Sequence, residues 1–520
     1  MKKSTKEELE DADVKENASE TFSENLKKSP GPGTPSDPTF LYSDFHKDLN
    51  KCGLKISSQL VLRTIASLCT KRFLIFTGLS GSGKTKLAIA FAKWITGEES
   101  NSLLKKRFKI HEEIQGNRVT YKVTNADNLS VTFTQIETGT KVTLPYELIE
   151  EWIVVIKEKN YTLSTPPRKI RKIIDSRTKY STQLNSFETH LKAAAFYLLN
   201  KTESISIKNS QVCIIPVGSD WINREPLVGF PNALKVGEYV KPDNCVLDLI
   251  IAASSNPNKP FFLILDEMNL SHVERYFADF LSVMESSGNI LLHPGPDKWS
   301  GIPSEVSLPE NLFIIGTVNI DETTYMFSPK VLDRANVIEF RLTKDEISEY
   351  LNNYSSLDLS ILESKGTHMA ESFLQIAADQ NLKPVETEKI KSTLIDFFIE
   401  LRKTEAEFGY RTASEIMRFV AVVNLIEPKW SSNEILDAAI MQKLLPKVHG
   451  SRKKLAPVLE VLGILCMNEK PKDGEKMEYF FNAIDEKDFS ARIKFPKSFE
   501  KISRMYRALL HNGFTSYAEA

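Results

Sequence analysis

The residues that most restrict this chain are Gly78-Leu79-Ser80-Gly81-Ser82-Gly83-Lys84-Thr85, a complete G-x-x-x-x-G-K-[ST] pattern. The short apolar run Phe73-Leu74-Ile75-Phe76 precedes it and reads as a buried parallel strand, and a helix follows it. Glycines let the backbone curl so that its N–H groups face an anion, and the following helix adds its positive N-terminal end. Lys84 is then placed to meet the β- and γ-phosphates of a nucleotide, and Thr85 to give its hydroxyl to Mg²⁺. All eight loop residues are candidate nucleotide contacts. A chance match within a loop is the bland alternative, and the flanking strand and helix argue against it.

A second apolar run, Phe261-Phe262-Leu263-Ile264-Leu265, leads directly into Asp266-Glu267. Alone, this is a solvated strand end. Downstream of a phosphate loop it reads as a Walker B motif, with Asp266 in the Mg²⁺ shell and Glu267 polarising a water. A third run, Leu312-Phe313-Ile314-Ile315, passes through Gly316-Thr317-Val318 to Asn319, a polar strand tip where a water-positioning sensor would sit. A turn-forming Asn is the alternative. Leu332-Asp333-Arg334 then offers an arginine finger, a planar multi-donor cation for charge developing on a neighbouring subunit's γ-phosphate, with Arg341 as second choice. Arg411, opening the apolar-periodic stretch Ile416, Phe419, Val420 and Val423, is the candidate to reach the nucleotide from a helical lid.

At 520 residues the chain is too long for one core. Its 67 basic and 68 acidic residues nearly cancel, so any polyanion site must be a local patch. The expected organisation is a disordered, Lys/Glu/Ser-rich tail (1–38), a first core segment with the phosphate loop (39–102) and an inserted β+α subdomain (103–205). A second core segment (206–342) carries Asp266, Asn319 and Arg334, and a helical lid and C-terminal region (343–520) ends the chain. Within the insertion, Lys157 to Lys179 is dense in Lys and Arg between Tyr161 and Tyr180, which suits DNA phosphate contact, a solvated face or protein docking. A second basic cluster, Lys447 to Lys454, is a candidate lining for one face of an assembly. Five scattered cysteines without C-x-x-C spacing argue against a disulfide scaffold or zinc site and suit a reducing cytoplasm. No apolar run approaches a membrane span, so a membrane partner is not expected.

Beyond these motifs, Leu265 to Phe277, Gly316 to Thr324 and Phe327 to Asn336 together resemble the AAA+ motors of McrB-type, modification-dependent restriction systems. Val217-Gly218-Ser219-Asp220-Trp221, Leu227 to Phe230 and Gly288 to Leu292 resemble segments of that group and of the related MoxR and dynein-like groups. The resemblance covers about residues 55–100 and 210–515. It implies an α/β AAA+ P-loop core, a ring that is usually a hexamer, Mg²⁺-dependent ATP or GTP hydrolysis at subunit interfaces, and a separate McrC-like nuclease subunit. Asn319-Ile320-Asp321-Glu322 displaces by one position the Asp linked to guanine choice, and Asn-Lys-x-Asp is absent, so ATP is preferred here. The triplets Glu363-Ser364-Lys365 and Glu427-Pro428-Lys429 follow no core strand and read as surface residues, which places the nuclease in another chain. A MoxR-like remodeller of a protein partner is the alternative.

Overall fold

The computed structural model describes residues 40–97, 113–115, 120–126, 130–136, 138–145, 149, 152, 191–195, 211–320, 327–352, 356–472, 474–482, 490–518 and 520. The expected tail and the Lys157–Lys179 cluster lie outside the described residues. Two helices, α1 (Tyr42–Lys51) and α2 (Ser58–Thr70), lead into β1 (Phe73–Gly78) and, after the glycine loop, α3 (Lys84–Ile95). A four-stranded antiparallel sheet follows: β2 (Glu113–Gln115), β3 (Thr120–Ala126), β4 (Ser130–Gln135) and β5 (Lys141–Pro145). Its inward positions Tyr121, Val123, Val131, Phe133, Val142 and Leu144 are buried and alternate with part-exposed or exposed polar residues, the pattern of a sheet with one covered face.

Next come β6 (Val212–Pro216), the two-residue strands β7 (Phe230–Pro231) and β8 (Tyr239–Val240), α4 (Val246–Ser255) and β9 (Phe261–Asp266). They are followed by α5 (Ala278–Ser286), the hairpin β10 (Asn289–Leu291) and β11 (Glu305–Ser307), β12 (Leu312–Asn319) and β13 (Asn336–Phe340). The rest is largely helical: α6 (Lys344–Asn352), α7 (Ala370–Ala378), α8 (Thr387–Leu401), α9 (Tyr410–Ile426) and α10 (Ser432–Ala439). A π-turn at Ile440–Leu444, β14 (His449–Ser451), α11 (Arg452–Leu465), α12 (Pro496–Asn512) and β15 (Phe514–Ser516) complete it. No helix among the described residues is long and apolar enough to cross a membrane.

Five strands form a parallel sheet in the order β13-β1-β12-β9-β6. Every residue of β1 and β12 is buried, as continuous apolar strands covered on both faces must be. On one face Phe91 of α3, Phe262 of β9, Phe313 of β12 and Phe373 of α7 form a ring cluster with centroids 4.8–6.5 Å apart. On the other, Phe73 packs on Phe277, which stacks on Phe280 at 4.6 Å. Such aromatic pairs add roughly 0.5–1.5 kcal/mol each beyond their buried area.

The helical region is joined to the β13 edge by charge. Glu339 of β13 pairs with Lys501 at 2.7 Å and with Arg504 at 2.8 Å, both on α12; Lys501 is fully buried and the other two are part-buried. Burial opposes the charge on Glu339, but Lys501 and Arg504 outweigh it and hold the carboxyl below its usual range.

One expectation is corrected. Cys213 and Cys245 form a disulfide across 32 residues, with Cα atoms 5.8 Å apart, whereas linear spacing argued against a disulfide scaffold. Cys213 lies on the edge strand β6, and Cys245 caps the start of α4. The fold brings them together by returning the chain to that edge, which no count of sequence separation can reveal. Cys52, Cys69 and Cys466 are buried free thiols.

Candidate functional site

Because the sheet is parallel, the C-terminal ends of its strands share one edge, and the register places Gly78 of β1 beside Asn319 of β12. The next strand, β9, ends at Asp266 on that edge. The glycine loop starts there. Gly78 has φ +146° and a Cβ would lie 2.3 Å from the Phe340 carbonyl oxygen, so neither backbone conformation nor space admits another residue. Gly83 at φ +91° turns the chain directly into α3, whose first residue is Lys84. The Lys84 ammonium is buried and folds back over its own loop, donating to Gly78 O at 2.8 Å and Leu79 O at 2.6 Å. Leu79, Ser80 and Gly81 form the exposed rim, and Ser82 is buried below them.

The acidic pair meets this loop. Thr85 Oγ1 donates to Asp266 Oδ1 at 2.7 Å. Glu267, the residue after β9, adopts a left-handed conformation (φ +53°), a local strain of a kind that collects at functional sites. Asn319 Nδ2 donates to Glu267 Oε1 at 3.3 Å, so the polar tip of β12 holds the carboxylate at the tip of β9. Thr85, Asp266, Glu267 and Asn319 thus meet in two hydrogen-bonded pairs drawn from two strand ends and a helix start, beside the loop over which Lys84 folds. No group of three or more His, Cys, Asp or Glu suited to a metal occurs among the described residues. A metal here would take oxygens from Thr85, Asp266, a bound phosphate and water, which matches the preference of Mg²⁺ for a few protein ligands and retained waters.

One participant was not among the sequence candidates. Thr317 Oγ1 donates to Asp266 Oδ1 at 2.6 Å and accepts from the Glu267 N–H at 3.1 Å. The signal was present: Thr317 lies two residues before Asn319, and alternate residues of a strand share a face.

Arg334 and Arg411 lie at the other edge. Arg334 comes two residues before Asn336, which pairs with Leu74 near the start of β1. Its Nε donates to Leu281 O at 2.9 Å and its Nη1 to Lys330 O at 2.8 Å, and the guanidinium also pairs with Glu285 at the end of α5. Arg411 pairs with the same Glu285. Arg411, the candidate to reach the nucleotide from the lid, is carried by the first turn of α9 to the N-terminal strand ends, beside Lys71 and Arg72, and not to the glycine loop of the same chain. A cavity of about 610 Å³ opens there, lined among others by Lys71, Arg72, Arg334, Arg411, Glu285 and Glu415. This cavity lies away from the loop and acidic pair, and the hydrogen-bonded geometry identifies the chemical site better than a cavity does. Arg341, the second choice for a finger, pairs with Glu500 at 3.2 Å and is half exposed.

Several of the other described basic and acidic candidates have partners within the chain. Lys447 pairs with Asp333 and Lys454 with Glu405 at 3.0 Å, so these two members of the 447–454 cluster are engaged within the chain. Glu363 pairs with Lys93 at 2.7 Å, and Glu427 accepts from Tyr42 at 2.9 Å.

Residues 356–514 match the model of a domain of unknown function, DUF8727, covering most of the helical C-terminal region. No curated protein matches the chain. Among solved structures, the chain is similar to a candidate ATPase from Cytophaga hutchinsonii ATCC 33406, with 16% identity and a TM-score of 0.31, over 58% of this chain and 85% of that one.

Proposed function

We propose that this chain is an AAA+ P-loop NTPase that hydrolyses ATP or GTP in an oligomeric ring and drives a McrB-type restriction system with a separate McrC-like nuclease. The observation that carries the NTPase reading is the convergence of Thr85, Asp266, Glu267 and Asn319 on the glycine loop, within 2.7–3.3 Å of one another in sequence-distant pairs. The McrB-type assignment rests on the motif likeness alone.

Mg²⁺, held by Thr85 and Asp266, would neutralise charge on the phosphate oxygens. Lys84 would exchange its loop carbonyls for phosphate oxygens, a stronger charge-assisted set. Glu267, oriented by Asn319, would take a proton from water as its oxygen attacks the γ-phosphorus and the bond to the β-phosphate oxygen breaks. Arg334 would act on a nucleotide held by another copy.

Hydrolysis and binding of ATP and GTP by Glu267→Gln and Lys84→Ala test this. Glu267→Gln should keep nucleotide binding and lose on the order of 10²–10⁴ in turnover, since only water activation is removed. Lys84→Ala should weaken binding itself. Wild-type turnover by Glu267→Gln would sink the assignment. The restriction reading is tested by nucleotide-dependent cleavage of methylated against unmethylated DNA with the native partner chains. DNA contact through Lys157–Lys179 is tested by replacing Lys169, Arg171 and Lys172 with Ala, which should flatten the salt dependence of binding.

A further inference from the structure

The backbone on either side of Arg334 is gripped by lysines. Lys71 Nζ donates to Asp333 O at 2.9 Å, and Lys443 Nζ donates to Ala335 O at 3.0 Å. Lys447 pairs with the Asp333 carboxylate. The loop Asp333-Arg334-Ala335 is therefore held from both sides of its central residue, while Leu281 O, Lys330 O and Glu285 hold the guanidinium.

Two of the three lysines come from the helical region. Lys443 is the fourth residue of the π-turn Ile440–Leu444, is 3% exposed, and pairs with Glu415 of α9 at 2.6 Å. Glu415 also pairs with Lys71, so one buried carboxylate fixes both lysines that hold the loop's carbonyls. A π-turn inside a helical run is rare, and such turns are frequent at functional sites. Here the widened turn sits where Lys443 reaches Ala335 O. A buried ammonium is expensive, and packing alone would be served as well by Met or Leu. A hydrogen bond aimed at a backbone carbonyl next to Arg334 gives this charge a use.

We infer that the helical region matching the domain of unknown function sets the position of the Arg334 loop, with Lys443 and Lys447 as positioning residues for that arginine. The inference rests on the reading of Arg334 as a group acting on a nucleotide held by another copy. Any displacement of α9 and the π-turn against the sheet moves Lys443 and Lys447, and with them the loop, so the state of the helical region is conveyed to the neighbouring subunit's site.

The test compares full-length wild type, Arg334→Ala, Lys447→Ala, Lys447→Arg, Lys443→Met and the double variant Lys447→Ala/Arg334→Ala. Turnover, KM and thermal midpoint are measured at a protein concentration that saturates assembly. Arg334→Ala should lose on the order of 10³-fold in turnover. Lys447→Ala should lose about tenfold in kcat with KM within about twofold, and Lys447→Arg should restore it. The double variant should be no slower than Arg334→Ala, because a positioning residue has nothing left to position. Lys443→Met should follow Lys447→Ala if it folds, and the argument stands on Lys447 if it does not. Wild-type turnover in Lys447→Ala, or losses that multiply in the double variant, overturns the inference while leaving the Arg334 reading intact. Wild-type turnover in Arg334→Ala removes that reading instead, and the positioning role with it.

Discussion

Thr317 and Asp266, on the adjacent strands β12 and β9, share a 2.6 Å hydrogen bond in which the threonine hydroxyl donates to Oδ1. The same hydroxyl accepts the Glu267 N–H at 3.1 Å, so one buried side chain orients both members of the acidic pair. Thr317→Val keeps the shape but removes both bonds, leaving the carboxylate with one donor fewer and a backbone N–H without its acceptor. If the chain hydrolyses nucleotide with a metal at Asp266, as proposed, turnover should fall about 10–100-fold, the usual effect of losing an outer-shell partner of a metal ligand, with nucleotide binding nearly unchanged. Thr317→Ser should recover most of it. A valine variant as fast as wild type would make the threonine a packing residue only.

Gly78 gives a stability prediction with a steric cause. Its φ of +146° excludes L side chains, and a Cβ there would meet Phe340 O at 2.3 Å. Gly78→Ala should cost roughly 2–4 kcal/mol in denaturant unfolding, because both the backbone and the β13 contact must give way. Gly81, at φ +76° with nothing within 4 Å of its Cβ, carries only the conformational part, and Gly81→Ala should cost about 1 kcal/mol. Equal costs at the two positions would contradict this account.

What the sequence made legible follows from how local each signal is. Phe73–Phe76, Phe261–Leu265 and Leu312–Ile315 are continuous apolar runs, and all three occupy central positions of the parallel sheet. Lys84, Thr85, Asp266, Glu267 and Asn319 were legible as a neighbourhood because each closes or opens such an element, and parallel strands end together. The surroundings of Arg411 were not legible, because a helix start carries no record of which strand ends it will face. Cys213 and Cys245, and the lysines around Arg334, were hidden for the same reason: their partners lie 32 residues away in one case and over a hundred in the other. Long-range pairing is a property of the fold, not of a window.

The Lys71–Glu415–Lys443 group predicts a pH dependence. Burial, and then Lys443, lower the Lys71 pKa from an ordinary 10.5 to about 7, while the two lysines outweigh burial and keep Glu415 ionised. The folded state therefore releases this proton before the unfolded state does. Between about pH 7 and pH 10 the unfolded chain binds more protons, so Lys71 makes stability rise with pH, and below pH 7 its penalty is fully present. Measured against Lys71→Met in urea, wild type should gain up to about 1.4 kcal/mol per pH unit in that window. A difference that stays flat from pH 7 to 10 would place the Lys71 pKa near its ordinary value.

Arg334 cannot reach the glycine loop of its own chain. The β1–β13 register sets it near Arg72, six residues before Gly78, which is about 20 Å along the strand at roughly 3.3 Å per residue. An arginine side chain reaches less than half that far, and this one is tied to Leu281, Lys330 and Glu285. If it acts in hydrolysis, it acts on a neighbour's nucleotide, and complementation should reveal that. Arg334→Ala subunits keep an intact phosphate loop, and Lys84→Ala subunits keep an intact arginine. Neither alone should turn over, yet mixed assemblies contain interfaces that join one intact loop to one intact arginine. For random mixing at equal ratio, about a quarter of the interfaces have that composition, so turnover should return to roughly a quarter of wild type and peak near the equal mixture. Subunit exchange, followed by energy transfer between labelled chains, establishes that mixing has occurred. Exchanged assemblies that stay inactive at every ratio would exclude Arg334 as the group acting across the interface, and the same experiment on Arg411, its neighbour across Glu285, would then show whether that guanidinium fills the role.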